Sequence, residues 1–418
     1  MESIEEKYES AKTYLSTFLK WIFLGGITGS AGGLIGTLFH VSVEKVTEYR
    51  LENNWVLYFL PIGGIIIAFL YKSFKMSDST GTNQIIDSIR SDQQVPVRLA
   101  PLIFISTVIT HLFGGSAGRE GAALQIGGSI GSFVGNIFKL DEKDKHIIVL
   151  CGMSGVFSAL FGTPLTATFF AMEVISIGVI YYSSMVACLV SSTVAYGISL
   201  YYGVEPVHYH LNYIPEISIK TVIATVILAA SLAGLSIIFC ITIHKTEHLL
   251  KHKIKNAYIR GFTGGLTILI LSLLVGTNDY NGAGMNIIAN AINGIVKPEA
   301  FLLKIIFTTI TLGAGFKGGE IVPTFFIGAT FGCLIGGIIG LDPGFSAAIG
   351  LIALFCAVVN APVASIILSV ELFGIGGFLL FGIACSVAYI LSGYYGLYSS
   401  QKIVYSKLKA EFININAK

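Results

Sequence analysis

The chain of 418 residues is 54% apolar and carries a further 48 glycines, while Lys, Arg, Asp and Glu together make up 12%, about half the one-quarter share of an ordinary globular protein. A mean hydropathy of +0.77 leaves too few polar groups to cover a water-exposed surface, which excludes a water-soluble enzyme, a collagen, a disordered chain and a coiled coil. The formal charge of +2 is too small for a nucleic-acid footprint, so the sequence reads as a multi-span membrane protein in a lipid bilayer with no nucleic-acid partner.

Residues 1–20 mix Glu2, Glu5, Glu6 and Glu9 with Lys7, Lys12 and Lys20, the wrong chemistry for a cleaved signal peptide. They are expected to form an N-terminal cytoplasmic segment, with the first hydrophobic stretch retained. Apolar segments then follow at 21–43, 55–71, 98–116, 121–138, 146–172, 174–202, 219–243, 261–277, 285–296, 300–314, 322–340, 343–371 and 373–395. Several are shorter than the ~20 residues of a spanning helix, and many are interrupted by Gly, Pro or a charge. Broken backbone at membrane depth is tolerated only where protein buries it or a watery cavity faces it. The pattern predicts an all-α polytopic fold whose broken helices line a transporter or channel interior. Gly25, Gly29 and Gly33 lie inside an apolar span, where small residues at four-residue intervals predict helix packing rather than a nucleotide loop.

Lys72, Lys75, Arg90 and Arg98, then Lys139, Lys143 and Lys145, then the 245–260 cluster and finally Lys402, Lys407 and Lys409 mark cytoplasmic segments by the positive-inside rule. The 44–54 and 203–218 loops are poor in Lys and Arg and are expected outside, with both termini cytoplasmic in a cell (inner or plasma) membrane. The divisions expected are a first transmembrane repeat over 21–202, an extracellular connection over 203–218, a second repeat over 219–398 and a short tail over 399–418 that leaves no room for an appended soluble domain. Six isolated cysteines read as small apolar core residues. His244, His248 and His252 share a helix face, but five neighbouring Lys or Arg oppose a bound cation, so they read as a solvated helix end with no metal and no cofactor.

The repeat is visible within the chain. Residues 151–174 lie over 349–372 without a gap, matching Gly152 with Gly350, Phe157 with Phe355, Pro164 with Pro362 and Glu173 with Glu371. Upstream, 122–135 lie over 323–336, pairing Gly127, Gly131 and Gly135 with Gly328, Gly332 and Gly336. Two homologous halves suit transporters whose substrate site lies at the repeat interface.

Three places carry chemistry. Gly114 to Ala122 is a glycine-rich turn holding Arg119 and Glu120 before an apolar helix, so backbone N–H groups and the helix dipole make an anion site. Charge at this depth is costly and marks function. Gly315 to Pro323 repeats the arrangement with Lys317, Gly318, Gly319, Glu320 and Ile321, and Pro323 suits a helix first turn; an alternative there is a Glu320–Lys317 structural pair. The polar loop Ser77–Asp87 carries Thr82 and Asn83, neutral donors that a permeating anion leaves more easily than a fixed cation.

Together these residues resemble the CLC chloride channel and transporter family from about residue 20 to 400. Gly118-Arg119-Glu120-Gly121 is similar to its gating-glutamate motif, Gly81 to Ile85 falls at its anion loop, Gly318 to Pro323 at its second helix-start motif, and Tyr398 where a tyrosine hydroxyl lines the anion site. The helices ending in Glu173 and Glu371 also match. Ala122 replaces the usual proline, Thr82-Asn83-Gln84-Ile85 the serine-glycine-isoleucine-proline run and Ile321 the usual Phe, while the internal proton-relay carboxylate falls at Val174. These departures resemble the fluoride/proton antiporter branch, although Thr82 and Val322 differ from the residues frequent there.

The resemblance implies an inverted-topology repeat, a homodimer with one pathway per subunit and export of fluoride in exchange for protons. In that reading Glu120 is the coupling acid, occupying the anion site when ionised and admitting the anion when protonated. Glu320 couples proton and fluoride, and donors come from Thr82, Asn83, the amides around Gly121 and Ile321, and the Tyr398 hydroxyl. The ring edges of Phe325 or Phe326 are a weaker expectation. The alternative is a chloride/proton exchanger or chloride channel on the same scaffold. An embedded enzyme with Glu120 as acid and Glu320 as base has no nucleophile–base pair or metal-ligand spacing behind it.

Overall fold

The computed structural model describes residues 4–77, 79–91 and 93–418. Residues 1–3 of the expected N-terminal segment and Asp78 of the Ser77–Asp87 loop lie outside the described residues. Sixteen α-helices are described: α1 (Ile4–Glu52), α2 (Leu60–Ser73), α3 (Thr82–Arg90), α4 (Leu99–Leu112), α5 (Glu120–Ile137), α6 (Glu142–Phe161), α7 (Pro164–Glu173), α8 (Met185–Tyr201), α9 (Ile219–Lys253), α10 (Ala257–Val275), α11 (Met285–Ile292), α12 (Ala300–Gly313), α13 (Ile321–Ile339), α14 (Pro343–Val359), α15 (Pro362–Phe373) and α16 (Phe378–Leu391). Seven helical stretches among the described residues are long and apolar enough to cross a bilayer, and α4, α12, α14, α15 and α16 are shorter apolar helices. The expected 44–54 loop is helical as far as Glu52.

Two long apolar segments are broken where the chain requires it. The 146–172 segment divides at Gly162, whose φ of 70° closes α6, and at Pro164, which opens α7. The 343–371 segment divides at the matching positions, Asn360 with φ 57° and Pro362. A left-handed residue ends a helix by capping its last carbonyls, and a proline two residues later starts the next because it needs no N–H partner there.

The repeat governs packing. α5 lies on α6 and α13 on α14. A Cβ at Gly127 would fall 2.6 Å from the Gly152 carbonyl carbon, and one at Gly328 2.8 Å from that of Gly350, so each pair of helices touches backbone to backbone through the glycines that the alignment matches. α1 meets α8 in the same way, a Cβ at Gly25 falling 2.8 Å from the Ala187 carbonyl oxygen and one at Gly33 2.9 Å from Ala195 Cα. The repeats also meet end to end. Glu173 accepts from the amides of Val363 (3.2 Å) and Ala364 (2.9 Å), and Glu371 accepts from Leu165 (3.0 Å) and Thr166 (2.8 Å).

The tail adds a feature that periodicity does not disclose. Strand β1 (Ser176–Ile177) pairs in parallel with β2 (Lys402–Tyr405), which pairs antiparallel with β3 (Phe412–Asn416). Lys407 Nζ donates to Asn360 Oδ1 (2.5 Å), the Tyr389 carbonyl (2.9 Å) and Ser392 Oγ (3.1 Å). The Ala417 amide donates to the Gln401 carbonyl and the Gly396 amide to that of Lys418. The tail therefore grips the 392–401 segment that carries Tyr398.

Candidate functional site

The two glycine-rich turns lie side by side. Gly118 N–H donates to the Gly319 carbonyl and Gly319 N–H to the Gly118 carbonyl, both at 2.7 Å, an isolated antiparallel bridge between the repeats. α5 begins at Glu120 and α13 just after Glu320, so two helix N-termini meet across this bridge with a carboxylate at each. Each acid reaches toward the other repeat. A Cβ at Gly118 would fall 2.5 Å from Glu120 Oε2 and 3.1 Å from both Val322 Cβ and Pro323 Cδ, which places the Glu120 carboxylate against the first turn of α13. A Cβ at Gly121 would fall 2.9 Å from Gly319 Cα and 3.1 Å from Glu320 Oε2, which places Glu320 against the first turn of α5. At Gly121, where the neighbour is backbone, only glycine permits this approach.

Glu120 is 1% exposed. It accepts a 2.9 Å bond from the Arg119 amide, and Arg119 Nε stands 3.8 Å from its other oxygen. The turn before it is held by the chain from outside: His111 Nε2 lies 3.3 Å from the Gly118 carbonyl, Asn281 Nδ2 donates to Gly114, and Gly282 N–H donates to Gly115.

A third helix start joins these two. Gly81, with φ 67°, precedes α3, and the Thr82 hydroxyl donates to the Gly121 carbonyl at 3.3 Å. Asn83 Oδ1 accepts from the Ser400 amide at 3.0 Å, tying α3 to the segment after Tyr398. Thr82, Asn83, Glu320 and Tyr398 border one cavity of about 630 Å³, which continues past Lys317 to Lys72, Glu247, Lys251 and Arg260. Glu320 is on its wall, whereas Glu120 is not.

The structure thus brings together Gly118, Arg119, Glu120, Gly121, Gly318, Gly319, Glu320, Ile321 and Pro323 at one junction, with Thr82, Asn83 and Tyr398 around the cavity below it. Phe325 and Phe326 part company. Phe325 packs edge-on to Phe161 and Phe355 at centroid distances of 6.0 and 5.3 Å, whereas Phe326 lies under Lys304 Nζ at 5.0 Å and against Tyr280. Neither borders the cavity. Lys317 forms no ion pair with Glu320 among the described residues; its Nζ stands over the Tyr71 ring at 4.3 Å. His248 and His252 stack at 6.2 Å, and His244 is bonded through Nε2 to the Gly396 carbonyl at 2.8 Å, so the face read as uniformly solvated is anchored at its first histidine. Among the described residues no cluster of His, Cys, Asp or Glu is placed to hold a metal.

Two polar residues of the site region escape motif reading. Gln125, five residues after Glu120, is 4% exposed, borders the cavity and donates to the Gly121 carbonyl at 3.2 Å. Lys304 is fully buried and donates to the Tyr280 and Gly282 carbonyls at 3.2 and 2.7 Å, bracing the loop that supports Gly115. Gln125 is a long polar side chain within an apolar stretch of α5 and Lys304 the one charged residue of α12, the signal by which both are detectable.

Comparison with known proteins agrees with this geometry. Residues 63–393 match the model of the family described as voltage gated chloride channel. The chain is 35% identical over 396 residues, 93% of its length and 87% of the relative's, to a "Chloride/fluoride channel protein" of Pseudomonas syringae pv. tomato. It is 27% identical to an H(+)/Cl(-) exchange transporter of Vibrio vulnificus, covering 85% of this chain and 83% of that one. Among solved structures, a CLC-type fluoride/proton antiporter superposes with a TM-score of 0.88 at 30% identity, over 92% of this chain and 98% of the other. A slow cyanobacterial Cl-/H+ antiporter superposes at 0.78 with 20% identity, over 89% and 94%, a likeness of fold.

Proposed function

The chain belongs to the voltage-gated chloride channel (CLC) family, and from that premise we propose that it is a secondary active transporter that exports fluoride in exchange for protons, with Glu120 as the proton-labile gate. The observation that carries this reading is the bridge between Gly118 and Gly319 with its two crossed carboxylates. A helix N-terminus favours an anion, and here Glu120 supplies one from within the chain. Ionised, it fills the place that a transported anion needs. Protonated, it loses its attraction to the helix start and yields that place, so a proton and an anion compete through one side chain.

Glu320 supplies the route from the cavity. Val174 has no ionisable group, and both oxygens of the neighbouring Glu173 are engaged with α15 amides, so neither serves as an inner proton carrier. Glu320 faces the cavity and lies against the helix start that follows Glu120, the position from which a proton is passed inward or outward. Fluoride, small and strongly hydrated, needs short donors in place of water; the Tyr398 hydroxyl, which has no partner among the described residues, the Asn83 amide nitrogen and the amides near Gly121 and Ile321 are the donors we assign, with no part for Phe325 or Phe326, which pack away from the cavity. The cavity side, marked by Lys72, Lys251 and Arg260, is cytoplasmic in this reading, as are both termini, and the working unit is a homodimer in the cell membrane.

A second reading, chloride/proton exchange or a chloride channel, is favoured by the likeness to the Vibrio H(+)/Cl(-) exchange transporter. Efflux from liposomes loaded with both anions, followed by fluoride- and chloride-selective electrodes, separates the two. Fluoride leaving much faster than chloride supports the proposal, and equal rates support the second reading.

A further inference from the structure

Ser400 holds two residues of α3 at once. Its amide donates to Asn83 Oδ1 at 3.0 Å and its hydroxyl to Asp87 Oδ2 at 2.6 Å. Asn83 and Asp87 are four residues apart, so they share one face of the helix, and one serine spans both. The other Asp87 oxygen accepts from Arg90 Nη2 at 2.9 Å, so the carboxylate is held from two sides. Asn83, Asp87, Tyr398 and Ser400 all border the cavity.

The bond from the Ser400 amide decides which way the Asn83 carboxamide faces. A backbone N–H and a carboxamide nitrogen are both donors, so the Asn83 oxygen must meet Ser400 and the nitrogen is the arm left over. Among the described residues that nitrogen has no acceptor. Turned over, the side chain would set N–H against N–H, leave the Ser400 amide without its acceptor and offer an anion a carbonyl oxygen that repels it. Ser400 is itself a fixed reference. The Leu397 amide donates to the Val358 carbonyl at 2.8 Å and the Gln401 amide to the Tyr398 carbonyl at 2.9 Å. The Gln401 side chain is fully buried and donates through Nε2 to the Val174 and Val359 carbonyls, both at 2.9 Å, at the C-terminal ends of α7 and α14. The two bonds from Ser400 carry that position across to α3.

We propose that Ser400 and Asp87 are positioning residues that set the preference for fluoride over chloride. The Ser400 amide orients Asn83 so that its nitrogen is the group presented to a permeating anion, and the hydroxyl bond to Asp87 keeps that amide from shifting. Fluoride is the smaller anion and gains most from a donor held in advance at one short distance, since preorganisation removes the cost of ordering it. A donor free to retreat serves the larger chloride as well. The inference rests on the fluoride exchange proposed above, in which Asn83 is a donor, and adds two residues that the exchange reading does not use.

The test uses the full chain in liposomes loaded with fluoride and chloride, with both effluxes recorded by selective electrodes. Ser400→Ala removes the hydroxyl and keeps the amide, Asp87→Ala removes the carboxylate, and Ser400→Thr keeps the hydroxyl. The fluoride-to-chloride ratio should fall about tenfold in either alanine variant, the equivalent of a lost hydrogen bond to a charged group. It should fall no further in the double variant, because the two residues share one bond, and Ser400→Thr should retain the wild-type ratio. Should Ser400→Ala not fold, Asp87→Ala is read in the same way. A wild-type ratio in the alanine variants, a loss of both fluxes in proportion, a double variant that multiplies the two losses, or a ratio lost equally in Ser400→Thr overturns the inference. A wild-type protein that passes both anions at one rate removes the fluoride reading and this inference with it, whereas a selective wild type beside equally selective alanine variants overturns this inference alone.

Discussion

Glu173 and Glu371 close opposite helices and each caps the start of the helix that the other closes: Glu173 accepts from Val363 and Ala364 at the start of α15, and Glu371 from Leu165 and Thr166 at the start of α7. A carboxylate beside the unpaired amides of a first turn is favoured by both hydrogen bonding and the helix dipole. The reciprocal arrangement ties the two repeats together, and in the proposed exchange it gives Glu173 a structural place.

Replacing Glu173 with Gln should therefore lower stability by about 1–2 kcal/mol, the scale of a charge-assisted cap in a partly buried setting, and leave protons moved per anion unchanged. Thermal unfolding in detergent and paired flux measurements in liposomes check the two halves. A Glu173→Gln protein of normal stability that has lost its coupling would place Glu173 on the proton route.

The bridge between Gly118 and Gly319 sets the distance between the two helix starts. A Cβ at Gly121 would fall 2.9 Å from Gly319 Cα, so Gly121→Ala must push the turns apart. Since misplacing reacting groups by about 1 Å costs on the order of a hundredfold in rate, we expect flux to fall by that order while size-exclusion behaviour is retained.

Lys317 stands over the Tyr71 ring and not on Glu320. Groups that do not share a partner combine additively, so Lys317→Ala should not rescue Glu320→Ala, and the double variant should lose transport as fully as the single one. Restored exchange in the double variant would show an ion pair after all and remove Glu320 from the mechanism.

The tail predicts a different loss. Lys407 donates to Asn360, Tyr389 and Ser392 at once; its removal leaves Asn360 Oδ1 and Ser392 Oγ without that donor, while the Tyr389 carbonyl keeps the Ser392 hydroxyl. Lys407→Met should lower stability by about 1–3 kcal/mol, read as a lower unfolding temperature in detergent.

The helix-start motifs are legible in the sequence because charge and glycine stand out in an apolar chain, and the repeat because Pro and Glu recur at one spacing. The breaks at Gly162 and Asn360 are legible for the same reason, each lying two residues before a proline. The partnership of Glu173 with α15 is not, because its amides lie 190 residues away. Gln125 escapes because a side-chain amide within a helix matches no motif, and its bond to the Gly121 carbonyl appears only in the fold. The terminal sheet escapes because β1 is two residues long, too short for alternation to register. Lys317 misleads because nearness in sequence to Glu320 suggests a pair, while the Tyr71 ring, contributed by α2, draws the ammonium away.

The central claim, that one carboxylate makes proton and anion compete, is tested most directly by uphill proton movement in liposomes carrying an outward fluoride gradient, with the wild type beside Glu120→Gln. The glutamine keeps the shape of the gate and cannot exchange a proton. The wild type should drive protons inward against their gradient as fluoride leaves, and Glu120→Gln should move none uphill even where fluoride still passes. Undiminished uphill proton movement by Glu120→Gln would contradict the assignment.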